Sequence, residues 1–328
     1  MNEFDIIREI FAPLSAKAAN AFGLQDDAAL VSGGPYVFTK DVLVAGVHFR
    51  AKDPLDLVAR KLIRVNLSDL AAKGAKPIGY FLGCVWPTGT DRDAIELFAR
   101  GLKEDQEEFG VALYGGDTTG HRLKSGPLTL SATFFGKPPR QALTLRSGAQ
   151  AGDDLYVTGA IGDAGLGLKS LSKDEIFTTV DKASLSARYH LPTPRLSMGA
   201  AIAGLATAAI DVSDGLIADA GHLARASGLK VEIDAVSIPR SSAAGEWVAR
   251  QQNRWKALSA LAAFGDDYEI LFSAPSTMRR SVTVAANAAR TDVSRIGVVK
   301  KGEGVSLLDE NGREIEIMSA GYDHFDSR

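Results

Sequence analysis

Aspartates flanked by glycine or other small residues recur along the whole chain, and their type and spacing could do chemistry. They are Asp26-Asp27, Asp41, Asp69, Asp117, Asp211 with Asp214, and Asp266-Asp267. Most adjoin apolar runs. Asp41 stands between Tyr36-Val37-Phe38-Thr39-Lys40 and Val42-Leu43-Val44, Asp117 follows Val111-Ala112-Leu113-Tyr114-Gly115-Gly116, and Asp211 follows an alanine-rich stretch ending in Ile210. A carboxylate at the end of a buried strand is costly unless a cation or hydrogen-bond donors compensate it. Several converging carboxylates would need metal ions. Hard oxygen ligands without clustered histidine or cysteine point to Mg²⁺, an ion that usually arrives bound to phosphates. ATP and a carboxylate repel each other, so acids can hold a nucleotide only with Mg²⁺ between them.

Each acid also has a structural alternative. Asp26, Asp214 and Asp267 suit helix caps or turns, which aspartate fills more often than catalytic positions. Asp117, in Gly115-Gly116-Asp117-Thr118-Thr119, suits a turn as well, although consecutive glycines also let backbone approach a phosphate closely. Asp69 fits a cap least, because it falls within a helix.

Other signatures are weak. Gly162 to Ser170 comes near a phosphate-binding loop, but Leu168 separates Gly167 from Lys169, so a glycine-containing loop between strand and helix is the better reading. The glycine fingerprint of dinucleotide folds is missing. The five histidines, His48, His121, His190, His222 and His324, have no zinc-like spacing, and no serine and histidine stand in a nucleophile motif.

The elements that must position these acids follow from periodicity. Phe4, Ile7, Ile10 and Phe11 predict a short amphipathic helix, and residues 36–44 a strand. After Asp53-Pro54 the stripe Leu55, Val58, Ala59, Leu62 and Val65 predicts a helix to about Lys73, stopped by Gly74. Continued by three and four residues, that stripe puts Asn66, Asp69 and Leu70 on or beside the buried face. Residues 78–86, 111–114 and 128–135 read as strands and 91–109 as a helix ended by Gly110. The breakers and small residues from Lys137-Pro138-Pro139 to Gly152-Asp153 mark a domain boundary, with domains at 1–147 and 148–328. Beyond it, 155–158, 230–233 and 268–272 read as strands, and 195–207, 215–227 and 276–289 as helical, giving two α/β domains of similar size.

At 328 residues two domains are the prior, and 45% hydrophobic against 23% charged residues fits a globular interior and not disorder. A net charge of −3, with no basic stripe or aromatic ladder, argues against nucleic acid as a partner. Cys84 is the single cysteine, so no internal disulfide forms. Glu3, Asp5, Arg8 and Glu9 interrupt any signal-peptide core, and no apolar run reaches the roughly 20 residues a membrane span needs, so a cytoplasmic location is expected.

Seven segments together carry a family resemblance. They are Asp26-Asp27-Ala28-Ala29, the run from Thr39-Lys40-Asp41 to Val47-His48-Phe49, Val65-Asn66-Leu67-Ser68-Asp69-Leu70-Ala71-Ala72, Gly115-Gly116-Asp117-Thr118-Thr119, Asp211-Val212-Ser213-Asp214-Gly215-Leu216, Asp266-Asp267-Tyr268-Glu269 and Gly321-Tyr322-Asp323-His324-Phe325. In this order they resemble thiamine-monophosphate kinases.

The resemblance implies an α/β (α+β) two-domain fold like that of aminoimidazole ribonucleotide synthetase, with mixed sheets flanked by helices. It further implies an ATP- and Mg²⁺-binding, dimerising N-terminal domain and homodimers joined through its sheets. The implied reaction is ATP-dependent phosphorylation of thiamine monophosphate to thiamine diphosphate by direct in-line transfer, with several Mg²⁺ ions and no membrane partner. Carried over by position, Asp27, Thr39, Asp41, Asp69, Asp117, Asp211 and Asp214 would be metal ligands. Gly116, Asp117, Arg146 and Ser213 would contact ATP, and His48, Asp266 and Tyr322 the thiamine phosphate. No protein side chain is implied as a covalent catalyst.

The chain departs from the family pattern at Gln25, where a glycine is usual, at Asp266, where a glutamate is usual, and at Lys40, where a small hydroxyl residue is usual. Lys40 either supplies charge beside Asp41 or faces outward on its strand. The related selenophosphate synthetases need an N-terminal cysteine that this chain lacks, Cys84 lying mid-strand. A non-catalytic sensor of nucleotide or thiamine phosphate would be marked by loss of the acids, and they are retained.

Overall fold

The computed structural model describes residues 6–18, 24, 31, 33–123, 125–140, 143–172, 177–319 and 321. Asp26, Asp27 and Tyr322 lie outside the described residues. By its internal contacts the chain divides into two units, 1–70 with 75–138, and 71–74 with 139–328.

In the first unit a π-helical turn, Ile7–Phe11, and a 3₁₀ turn, Ala12–Ser15, precede strand β1, Val37–Val44. Helix α1, Leu55–Ala72, then leads into β2, Lys76–Trp86, and helix α2, Arg92–Phe109, into β3, Ala112–Gly120, and β4, Thr129–Lys137. The sheet order is β1-β4-β2-β3, with β2 and β3 parallel and the other pairs antiparallel. Helix α2 begins where the Asp91 carboxylate accepts the Ala94 N–H at 2.9 Å and ends at Gly110 in the left-handed region.

One face of this sheet is covered. Tyr80, Leu82, Cys84, Leu130, Ala132 and Phe134 are all buried, the Tyr80 hydroxyl accepts from Gln106 on α2, and Trp86 stacks edge-on against Phe98. The two helices are joined by charge, since Asp105, fully buried, receives both Arg60 and Arg64 at 2.7 Å. The only cysteine of the chain, Cys84, is thus sealed in the interior, and burial pushes its thiol well above its ordinary range. The other face is open. Phe38 and Val42 are exposed on it, and Phe38, Phe81 and Tyr114 gather around Phe135, with ring centroids 4.9 to 6.3 Å from it.

Register decides which face each acid takes. Thr39, Asp41 and Leu43 oppose Phe134, Ala132 and Leu130, so all three lie on the covered face. Lys40, one residue out of phase, lies on the open face and donates to Ser131 Oγ at 2.8 Å. Asp117 pairs with Gly83 in the row that holds Ser131 and Val42, and so belongs to the open face. Strand β3 runs through Gly115-Gly116-Asp117 and does not stop at Tyr114, so this acid is a strand residue and not a turn residue. Gly116 makes the passage possible: a Cβ there would come within 1.9 Å of the Leu82 carbonyl oxygen.

The second unit holds a six-stranded sheet in the order β10-β7-β9-β5-β8-β6. In chain order its elements are β5 (Asp153–Thr158), α3 (Asp163–Ser170), α4 (Thr179–His190), α5 (Leu196–Ile202), β6 (Ala208–Asp211), α6 (Leu216–Ser227) and β7 (Lys230–Asp234). There follow α7 (Ser242–Arg250), α8 (Arg254–Ala263), β8 (Ile270–Pro275), α9 (Arg279–Ala289), β9 (Val293–Lys300) and β10 (Gly304–Leu308). Alternation sends Leu155, Val157, Ile210 and Leu271 into one core with α6 and α8, and Tyr156, Ala209 and Phe272 into a second with α5 and α9. Ala71 joins the second core, and Lys73 Nζ donates to the Ala209 carbonyl. Among the described residues no helix is long and apolar enough to cross a membrane.

The expected loop over Gly162 to Ser170 is instead a helix, α3. Its N-terminus is stabilised from a distance, because Asp267 accepts from the Gly162 N–H at 2.7 Å and the Ala164 N–H at 3.3 Å. A cap supplied from about a hundred residues away has no local signature.

The position of Lys40 yields a test. Because Lys40 faces away from Asp41, Lys40→Thr is expected to leave the response of the melting temperature to added Mg²⁺ unchanged. A shifted midpoint would put the amine beside Asp41.

Candidate functional site

In the first unit three of the expected ligands come together. Thr39 and Asp41 alternate onto the covered face of β1, and Asp69, in the last turn of α1, brings its carboxylate to the Thr39 hydroxyl, which donates to Asp69 Oδ2. Burial, followed by the Asp69 charge, pushes the Asp41 carboxyl up to about 7. Two acids and a hydroxyl, all hard oxygen donors, form a set suited to Mg²⁺. The neighbouring Asn66 is fully buried, its Nδ2 donating to Leu62 O at 2.9 Å while Oδ1 finds no hydrogen-bond partner among the described residues.

His48 lies in the turn that follows β1. Its Nδ1 accepts the Val44 N–H at 3.0 Å, so the neutral ring carries its proton on Nε2, and Lys61 Nζ donates to its carbonyl at 3.3 Å. Gly116 and Asp117 are exposed on β3, Gly116 in the row of Leu82, Ala132 and Asp41 and the Asp117 side chain on the opposite face.

The second unit makes its own cluster where two sequence motifs zip together. Asp266 N–H donates to Ser213 O at 2.8 Å, Tyr268 N–H to Val212 O at 2.7 Å, and Val212 N–H to Glu269 O at 2.8 Å. Gly265 permits the approach, since a Cβ there would stand 2.5 Å from the Ser213 carbonyl oxygen. Asp211 ends β6 and is buried, while Ser213, Asp214 and Asp266 are half-buried. Asp266 and Tyr268 both occupy the left-handed region, at φ +70° and +50°. For residues with a Cβ this conformation costs about 1 to 2 kcal/mol each. Arg146 is exposed in the segment before β5.

Asp219 and His222 belong to this cluster and escape sequence reasoning. Asp219, nearly fully buried in the first turn of α6, accepts the Ser213 N–H at 3.0 Å and the Asp214 N–H at 3.1 Å. Burial and then the Asp214 charge push its carboxyl up to about 7 against those donors. Asp214, Asp219 and His222 each place a ligand atom within 4.8 Å of the others, an arrangement able to hold a metal ion. The signal available was the three-residue spacing of Asp219 and His222, which puts them on one helix face.

Two domains of this topology, each presenting acids at element ends, define a class. Residues 25–137 match the family model "AIR synthase related protein, N-terminal domain" and residues 150–310 match "AIR synthase related protein, C-terminal domain". The chain is 46% identical to the thiamine-monophosphate kinase of Caulobacter vibrioides over 98% of its own length and 90% of that protein's. It is 36% identical to the Escherichia coli (strain K12) thiamine-monophosphate kinase over 98% of each chain. It therefore belongs to the thiamine-monophosphate kinase family.

Solved structures agree. The thiamine-monophosphate kinase of Stenotrophomonas maltophilia K279a, 35% identical, superposes with a TM-score of 0.81 over 93% of this chain and 98% of that one. AaThiL, solved in complex with AMPPCP and TMP, is 30% identical with a TM-score of 0.74, covering 94% and 98%. The hydrogenase maturation protein HypE in complex with ATP, 18% identical at a TM-score of 0.77, shares the fold.

Asp69→Asn keeps the size of the side chain and removes one of two adjacent charges. Turnover of the kinase is expected to fall by at least ~100-fold, the scale of losing one preorganised electrostatic contact. The metal-free melting temperature should hold or rise. A lowered melting temperature with near-normal activity would make Asp69 a structural residue.

The raised carboxyls also set a pH dependence. Asp41 and Asp219 both titrate near 7 in the folded chain and near 3.8 when unfolded, so between these values the native state holds more protons. Through these two groups the stability of the metal-free protein falls as pH rises from about 4 to 7. Compared in thermal melts in chelator across that range, the double variant Asp41→Asn, Asp219→Asn should lose less stability with rising pH than the wild type. An unchanged slope in the double variant would refute the assignment.

Proposed function

We propose that this protein transfers the γ-phosphoryl group of ATP to thiamine monophosphate, giving thiamine diphosphate and ADP. The observation that carries this reading is the 46% identity to the Caulobacter vibrioides thiamine-monophosphate kinase across nearly the whole chain. The complex of AaThiL with AMPPCP and TMP, the latter read as thiamine monophosphate, supports it.

A phosphate oxygen of the acceptor attacks the γ-phosphorus in line as the bond to ADP breaks. The phosphate monoester is already ionised near neutral pH, its second pKa being about 6, so no strong general base and no covalent enzyme intermediate are required. Catalysis rests on position and charge. Gly116, Asp117, Arg146 and Ser213 are the proposed nucleotide contacts. Arg146 brings an exposed guanidinium whose fork suits two phosphate oxygens. His48, Asp266 and Tyr322 are the proposed contacts to the acceptor, an aromatic face suiting the flat thiazolium cation.

Asp27, Thr39, Asp41, Asp69, Asp117, Asp211 and Asp214 are the proposed Mg²⁺ ligands, some acting through water. The oxygen-only donor set of Thr39, Asp41 and Asp69 supports this assignment. Bound Mg²⁺ would supply charge neutralisation between the carboxylates and the phosphates.

We assign nucleotide and metal binding and dimerisation to residues 1–147 and the second domain to 148–328. A homodimer joined through the N-terminal sheets is supported by the exposed Phe38 and Val42 and the aromatic group around Phe135 on the open face. The cytoplasm, which supplies ATP and Mg²⁺, is the proposed location.

Purified protein with ATP and Mg²⁺ should convert thiamine monophosphate to thiamine diphosphate with matching release of ADP. Free thiamine, lacking the phosphate that anchors the acceptor, should not be turned over. Chelation should abolish activity and Mg²⁺ restore it. Equal use of free thiamine, or turnover in excess chelator, would overturn the scheme.

A further inference from the structure

Within the second unit, the segment Gly265 to Glu269 alternates between buried and half-buried side chains. Asp267 and Glu269 are buried and fixed, and Asp266 and Tyr268, which alternate with them, are half-buried in left-handed conformations. The anchors are strong. Asp267 takes the two amides at the start of α3, as described above. Glu269, with no exposed surface, receives Arg195 Nε and Nη2 at 2.6 Å each, Arg188 Nη2 at 2.7 Å and the Thr158 hydroxyl at 2.6 Å. Thr158 Oγ1 in turn accepts the Ile270 N–H at 2.8 Å, locking the start of β8 to the same carboxylate.

We infer that Glu269, held by Thr158, Arg188 and Arg195, is a positioning residue that fixes Asp266 and Tyr268 for recognition of the phosphate acceptor. The inference rests on the proposed role of Asp266 at the thiamine side. A side chain in the left-handed region returns to ordinary backbone geometry unless its neighbours over-determine it. Here the flanking residues do so: a bidentate arginine grip on Glu269 fixes the distance and angle of the chain immediately after Tyr268, and the Asp267 cap fixes the residue between. The facing motif, paired with this segment through its backbone, has a second anchor of its own, because Ser213 and Asp214 are tied by their amides to Asp219. Loosening Glu269 should therefore disturb the acceptor side and spare the nucleotide side.

The test compares Glu269→Gln, Thr158→Val and Thr158→Ser with the wild type. In Glu269→Gln the acceptor KM should rise about tenfold while kcat stays within about threefold and the ATP KM within about twofold. Hydrogen exchange at the Asp266 and Tyr268 amides should speed up about tenfold, with the Ser213 amide unchanged. Thr158→Val leaves both arginine pairs in place, so it keeps the test open if the charge change unfolds the protein, and it should shift the same quantities in the same direction. Thr158→Ser, which preserves both hydrogen bonds, should restore them.

A lowered melting temperature with an unmoved acceptor KM would reduce Glu269 to a structural role and overturn the inference. Equal rises in both KM values would do the same. Wild-type protein that makes no thiamine diphosphate would instead overturn the functional reading. Hydrogen exchange then decides the clamp by itself, since unchanged protection in Glu269→Gln refutes it without reference to activity.

Discussion

The chain neutralises some of its buried carboxylates with arginine and leaves others without one, and that division organises both units. Asp105 takes Arg60 and Arg64, Asp154 takes Arg279 and Arg295, and Glu269 takes Arg188 and Arg195. Each of these acids is less than a twentieth exposed, and each is met by two cations. Asp41 and Asp219 receive the opposite treatment. Each stands beside another carboxylate, and the repulsion adds to burial in raising both pKa values. The arginine pairs at three positions contrast with Asp41 and Asp219, and that uncompensated charge at Asp41 is what the proposed metal site there rests on.

The same contrast separates what stabilises from what recognises. The paired acids tie one element to another, α1 to α2 through Asp105 and β5 to α9 through Asp154, and their neighbours have ordinary backbone geometry. Around Asp266 the pairing does something further, because the buried acids on either side of Tyr268 hold a stretch that would otherwise relax. Backbone strain of this kind persists only where its surroundings impose it. In this chain it coincides with the segment that pairs with Asp211-Val212-Ser213-Asp214.

Much of this was legible in the sequence wherever the determinant is local. The stripe of α1 through Val58, Leu62 and Val65 predicts the helix and places Asp69 where no cap could need it, and the Asp91 and Gly110 ends bracket α2. Alternation in β1 separates Thr39 and Asp41 from Lys40. Without the partner strand, though, it leaves open which set is covered. The failures share a cause in long-range contacts. Helix α3 is started by Asp267, far along the chain, and β3 continues past its glycines because β2 offers it parallel partners. Asp219 reads as an ordinary first-turn acid until the amides of Ser213 and Asp214 are seen folding back onto it.

The sealed position of Cys84 gives the protein a built-in reporter. A sulfhydryl reacts as thiolate, and this one is both inaccessible and disfavoured as an anion while β2 remains covered. Alkylation under native conditions must therefore wait for the covered face of the first sheet to open. Its rate counts those excursions directly. Because no second sulfhydryl exists anywhere in the sequence, the labelled fraction needs no mapping, and it reports on the covered sheet face of the first unit alone.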